Sequence, residues 1–150
     1  MSRFWRGLAV ILTALAFGFG SGAAEDGIGR IKTISGKVTV SRGGADVPVA
    51  LGMSLMQSDV VTTAADGKVG MTFADNSMIS LGPNSVLGLD KFRFDTTTYE
   101  GEFDSSLKKG TLAAVSGRIS KTTPEAMKVR TPSAILGVRG TKFVVQVGGG

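Results

Sequence analysis

Ser105-Ser106-Leu107-Lys108 is the stretch of this 150-residue chain that comes nearest to a catalytic pattern. A serine three residues ahead of a lysine is the nucleophile-and-base spacing of penicillin-binding enzymes. The companion motifs are absent. Ala74-Asp75-Asn76 lacks the serine of Ser-Asp-Asn and precedes the pattern, and Lys121-Thr122-Thr123 is not Lys-Thr-Gly. The chain has no histidine and no cysteine, which removes imidazole and thiol chemistry and most zinc sites. Asp59, Asp66, Asp75 and Asp90 carry the oxygen ligands that calcium takes. They do not form a D-x-D-x-D run, and most adjoin Gly, Asn or Ser, the usual company of turns. Gly36-Lys37 lies at the wrong distance from Gly29 for a phosphate-binding loop. Tyr99 is the only tyrosine and Trp5 the only tryptophan, a poor inventory for stacking sugars. The residue types therefore predict a protein that is not an enzyme, with no cofactor and no metal.

One stretch stands apart. Residues 130–147 read as a polar turn, an apolar run, Gly-Val-Arg-Gly and a second apolar run. Thr131-Pro132 predicts extended or turn backbone. Ile135, Leu136 and Val138 are expected to be buried, and Phe143, Val145 and Val147 alternate as a half-buried strand does. Gly137 and Gly140 bracket Val138-Arg139, as where the backbone bends and a Cβ would obstruct it. Arg139 either pairs with a carboxylate on a buried or partner surface or faces solvent at a strand corner. Arg139, Gly137, Gly140, Thr141 and Phe143 are the candidate partner-binding or structural corner.

What must position these residues is a domain that starts after an export signal. Arg3 and Arg6 precede an uncharged, largely apolar run over 7–20, then Ser21-Gly22-Ala23-Ala24. Basic start, apolar middle and small-residue end are the parts of a secretory signal peptide, expected over 1–24 with cleavage after Ala24. The apolar run is shorter than the roughly 20 residues of a spanning helix, and no cysteine follows it to carry a lipid. Removing Arg3 and Arg6 takes Lys+Arg from 17 to 15 against 12 acids, so the net charge falls from +5 to +3. That balance gives no support to nucleic-acid binding. An exported chain without disulfides must rest on its core alone, and a domain over 25–147 is long enough to build one. Gly148-Gly149-Gly150 is expected to be a flexible tail.

Within 25–147, short apolar runs alternate with turn signals and no long helical period occurs. Val38 and Val40 alternate before Arg42-Gly43-Gly44; Val47 and Val49 flank Pro48, the mark of an edge strand. Val60 to Thr63 is β-branched, and Asp66-Gly67 is a hairpin signal. Val69, Met71 and Phe73 then share one face. Residues 91–106 predict a protruding hairpin, Lys121 to Pro124 a loop, and Ala126 to Arg130 a strand. Turns at this spacing predict an all-β domain, a single sandwich or roll of about ten short strands preceded by a signal-peptide helix. A short β-solenoid-like stack has the same periodicity.

Taken in order, several of these runs resemble the FecR domain family. Gly36 to Val40, Leu51-Gly52-Met53-Ser54-Leu55 and Asp59 to Thr63 are similar to the start of a FecR domain. Phe73 to Ser77, Leu81 to Ser85 and Leu107 to Leu112 continue the order. Thr131 to Ala134 and Gly137 to Phe143 are similar to its closing signature. The resemblance covers about residues 34–147. It implies a periplasmic all-β domain that works by protein contact. In FecR-type iron regulators that domain sits in a membrane sensor between an outer-membrane receptor and a cytoplasmic sigma factor. Here no sigma-factor-holding helical region is expected before it and no membrane span after cleavage, so the resemblance implies the domain rather than the whole pathway. The expected function is an exported protein-interaction module of a Gram-negative envelope, with an unidentified envelope partner and with self-association open. A component of an iron-uptake or envelope-stress circuit, acting with a separate sensor and sigma factor, and a cell-surface scaffold are the alternatives.

Overall fold

The computed structural model describes residues 27–123, 125–138 and 142–148. The expected signal peptide lies outside the described residues. Alternating burial builds strands throughout: β1 (Gly29–Ser35), β2 (Val38–Arg42), β3 (Ala45–Val47), β4 (Ser54–Leu55), β5 (Val60–Thr63) and β6 (Lys68–Phe73). β7 (Met78–Leu81), β8 (Val86–Phe94) and β9 (Gly101–Val115) follow, then a short helix α1 (Arg118–Thr122), β10 (Met127–Arg130), β11 (Ile135–Gly137) and β12 (Lys142–Val147). In β6 and β7 every second side chain is buried, the period of a strand with one face in the core.

The strands form one sheet in the order β3-β2-β5-β8-β9-β7-β6-β1-β4, with β10 and β12 also on β9 and β11 on β10. Pairing is antiparallel except between β9 and β10. The sheet curls because runs of chain change partners midway. β2 pairs with β5, while β1, just before it, pairs with β6. β5 pairs with β8, while β6, just after it, pairs with β7. β9 makes the same change within one strand: Gly101 to Lys109 face β8, and Leu112 to Val115 face β7. The sheet thus folds over a shared corner into a roll, the expected all-β architecture rather than a solenoid stack, with somewhat more strands than anticipated.

Backbone bonds join the neighbouring runs along the corner. Ala64 N–H donates to Lys37 O (3.0 Å), Asn84 N–H to Ala64 O (3.1 Å) and Gly82 N–H to Thr111 O (3.0 Å). Ser85, fully buried, ties the last two runs together. Its backbone N–H donates to Thr63 Oγ1 (2.9 Å), and its hydroxyl accepts the N–H of Thr111 (3.0 Å) and donates to Gly82 O (2.9 Å). Gly110 sits against it with φ +95°, and a methyl group there would lie 2.5 Å from Ser85 Cβ. Only glycine takes this backbone and this approach without strain.

The two halves bury matching rows of side chains. Val40, Val61, Leu87 and Leu107 are cross-strand neighbours in one half, and Ile31, Met71, Ile79 and Ala114 in the other; all are buried. Phe73 from β6 meets Phe103 edge-on at 4.7 Å, and Phe103 meets Phe92 at 5.0 Å, so aromatic contacts bridge the halves. The hairpin expected over 91–106 is present as β8 and β9 with Phe92 opposite Phe103.

Three local expectations change. Asp66-Gly67 is not a hairpin turn, because β5 and β6 pair with different strands and not with each other. Lys121 and Thr122 are not loop but the end of α1. Five residues cannot hold a helix alone; it is fixed by the buried 75–77 turn, where Arg118 N–H donates to Asp75 O (2.8 Å) and Gly117 N–H to Ser77 Oγ (3.0 Å). Ile135 and Leu136 are exposed, 60% and 38%, rather than buried, because among the described residues β11 pairs only with β10 at the end of the sheet.

Candidate functional site

The stretch singled out in the sequence closes the fold. Gly137 ends β11 opposite Lys128 of β10, and Phe143 lies on β12 opposite Ala114 of β9. The two residues share no partner strand. Arg139, Gly140 and Thr141 lie outside the described residues. Val138 is buried, as expected. Among the described residues a methyl group at Gly137 would meet only Glu125 Cγ, at 4.0 Å, and its φ is not in the left-handed region. The described residues do not crowd Gly137, whereas a methyl group at Gly36, Gly101, Gly110 or Gly117 would collide with neighbouring chain.

The carboxylates flagged as possible ligands are placed as turn and strand anchors. Asp59 is fully buried and takes a two-pronged ion pair from Arg42, Nε to Oδ1 at 2.9 Å and Nη2 to Oδ2 at 2.8 Å, with Met56 N–H also donating to Oδ2 (2.8 Å). Paired in this way, a buried carboxylate is stable only while its partner stays. Asp75 accepts from Ser77 N–H (3.0 Å) and from the Ser77 hydroxyl (2.7 Å). Asp90 accepts from the Ser106 hydroxyl. Asp95, at the tip of the β8–β9 hairpin, accepts the N–H groups of Thr97 (2.7 Å) and Thr98 (3.1 Å). These bonds, Thr97 foremost, favour its charged form and lower its pKa below the usual value, against a weak opposing effect of burial. Ser105, the serine of the S-x-x-K pattern, is buried on a strand rather than a helix, with its hydroxyl 3.5 Å from Lys128 O. Among the described residues no three His, Cys, Asp or Glu side chains cluster as a metal site.

One buried acid is less settled. Asp104 on β9 has Arg130 Nη2 3.8 Å from its Oδ2, while its buried Oδ1 has no hydrogen-bond partner among the described residues.

The outer surface of the β12-β9-β7-β6-β1 half has a different character. Lys142, Val115, Met78, Thr72 and Arg30 form one cross-strand row, and Val144, Ala113, Ser80, Gly70 and Thr33 the next. The middle of this face is small and flat. Met78 is 48% exposed and Val144 69%, beside an open hollow of about 400 Å³ lined by Met78, Ser80, Ala113 and Val144. Arg30, Lys32, Lys68 and Lys142 lie in the strands of this half, and none of those strands, nor Gly110 to Val115, contains an Asp or Glu. Among the described residues β12 pairs only with β9, and β3 only with β2, so the strand beside Pro48 is an edge as expected and β12 is another. Sequence reasoning found the strand of β12 but missed the face beside it, whose members come from distant strands. Lys142, Val144 and Gln146, alternating outward along β12, were the one local sign of it.

A family model described as FecR protein matches residues 59–150. The chain belongs to the FecR family. The resemblance seen in the sequence is therefore a membership, and it places the protein with a signalling-related regulatory family rather than with enzymes. No curated protein and no solved structure matches the chain. The matched segment begins at Asp59, yet β1 and β2 pair with β6 and β5 inside it. Among the described residues no helix is long and apolar enough to cross a membrane.

Proposed function

We propose that this FecR-family chain is an exported, non-enzymatic module of the bacterial envelope that regulates by binding another protein. The reading takes 1–24 as a signal peptide, 25–147 as the FecR domain and 148–150 as a tail. The observation that carries it is the open edge of β12 beside an acid-free, partly apolar face, in a chain without histidine or cysteine. Unpaired strand edges and exposed apolar side chains are what protein partners use. Family membership favours a signalling role, with a separate membrane sensor and sigma factor as the circuit it would serve.

The test is crosslinking in intact cells through a C-terminal tag, followed by mass spectrometry. Reproducible recovery of an outer-membrane receptor or inner-membrane sensor is the expected result, with a bait peptide beginning at Glu25. Recovery of the bait alone, or of copies of itself, would overturn the regulatory reading in favour of a surface scaffold.

A further inference from the structure

Resting on that reading, we infer that the β12 edge accepts an extended segment of an acidic partner protein as an added strand. The geometry specifies the pattern of that segment. A strand laid beside β12 would set alternate side chains next to Phe143, Val145 and Val147, which face the core with Phe143 and Val147 only half covered. Those positions call for apolar residues. The intervening side chains would lie next to Lys142, Val144 and Gln146 on the outer face, where Lys142 is the charge on the edge itself, Lys68 and Arg30 lie three and four strands farther along the same half, and β1, β6, β7, β12 and residues 110–115 of β9 contain no acid. The position beside Lys142 calls for a carboxylate, in keeping with the cationic face behind it, with room for one apolar group over the hollow by Met78 and Val144. Alternating acid and β-branched residues satisfy both rows.

Charge decides against the other occupants. A second copy paired through β12 meets Lys142 on the edge, and a lysine on an edge strand is a common guard against such pairing. An anionic lipid surface would satisfy the cations but leave the backbone N–H and C=O groups of the edge without strand partners; a peptide supplies both.

The probe is a synthetic alternating Glu-Val peptide long enough to span β12, added to the purified full mature chain, with amide exchange read residue by residue. The expected result is new protection confined to alternate amides of β12, weakened as salt is raised. Lys142→Glu, at an exposed position, should weaken binding roughly two- to tenfold with the unfolding midpoint unchanged. An alternating Lys-Val peptide should bind markedly less. Protection at β3 or β11 instead, equal binding of the Lys-Val peptide, or concentration-dependent self-pairing through β12 would each overturn the inference. So would binding of the chain to anionic phospholipid vesicles with no response to the Glu-Val peptide. The purified components make this result independent of the cellular crosslinking, so either reading can fail alone.

Discussion

Glycine does different things at different places in this chain. Gly110 has φ +95° and presses on Ser85, whereas Gly137 meets only Glu125 Cγ, at 4.0 Å, among the described residues. Gly110→Ala is expected to cost at least about 2 kcal/mol, from left-handed backbone and from the collision with a buried serine that cannot retreat. Gly137→Ala should stay within about 0.5 kcal/mol of the parent. Urea unfolding midpoints of the two variants, measured side by side, check this, and equal shifts would contradict the placement of the corner. The sequence drew attention to Gly137 as a corner, whereas Gly110 lies inside the long strand β9. What it could not show is which other chain lies across each position. The pressure on Gly110 comes from Ser85, which reaches it only once β8 and β9 are paired. Asp59 and Asp75 illustrate the same limit. Their turn setting was legible, while the burial that makes Arg42 and Ser77 indispensable depends on strands far away in sequence.

At the scale of elements, period-two alternation predicted the strands well because most have one face in the core. It worked for β6, where Val69, Met71 and Phe73 are all buried, and for the half-buried β12. It failed for β11, whose apolar Ile135 and Leu136 are exposed, because an apolar run does not reveal whether anything lies over it. α1 was missed since one helical turn has no period to detect, and its stability comes from outside. Ser77→Ala removes the hydroxyl that donates to Asp75 and accepts the Gly117 N–H. A cost of roughly 1–3 kcal/mol is expected, with the buried Asp75 carboxylate left short of a donor. Hydrogen exchange should speed up at 117–119 before it does in β9. Uniform acceleration across the protein, with no excess at α1, would show that the helix is held by something else.

At the scale of the whole molecule, the boundary of the family match and the boundary of the folding unit differ. A chain cut to 59–150 would lose β1 through β4, and with them Ile31, Val40 and Leu55, each fully buried. β5 and β6 would then be bare edges. The truncated chain is expected to show no cooperative thermal transition and poor dispersion of its amide resonances, whereas 25–150 should unfold in a single step. A sharp transition for 59–150 would show that the first strands are an ornament on an independent core. The shared corner also limits how such a protein can report an event. Its two halves are leaves of one plate bent along a single crease, and hydrogen bonds from Lys37 to Thr111 pin that crease along its length. The angle between the leaves is therefore not a free variable, and a message cannot be carried by opening or closing it. What can change at low cost is the rim, where a strand is either added or not. Information would pass through this molecule as occupancy, present or absent, rather than as a change of shape.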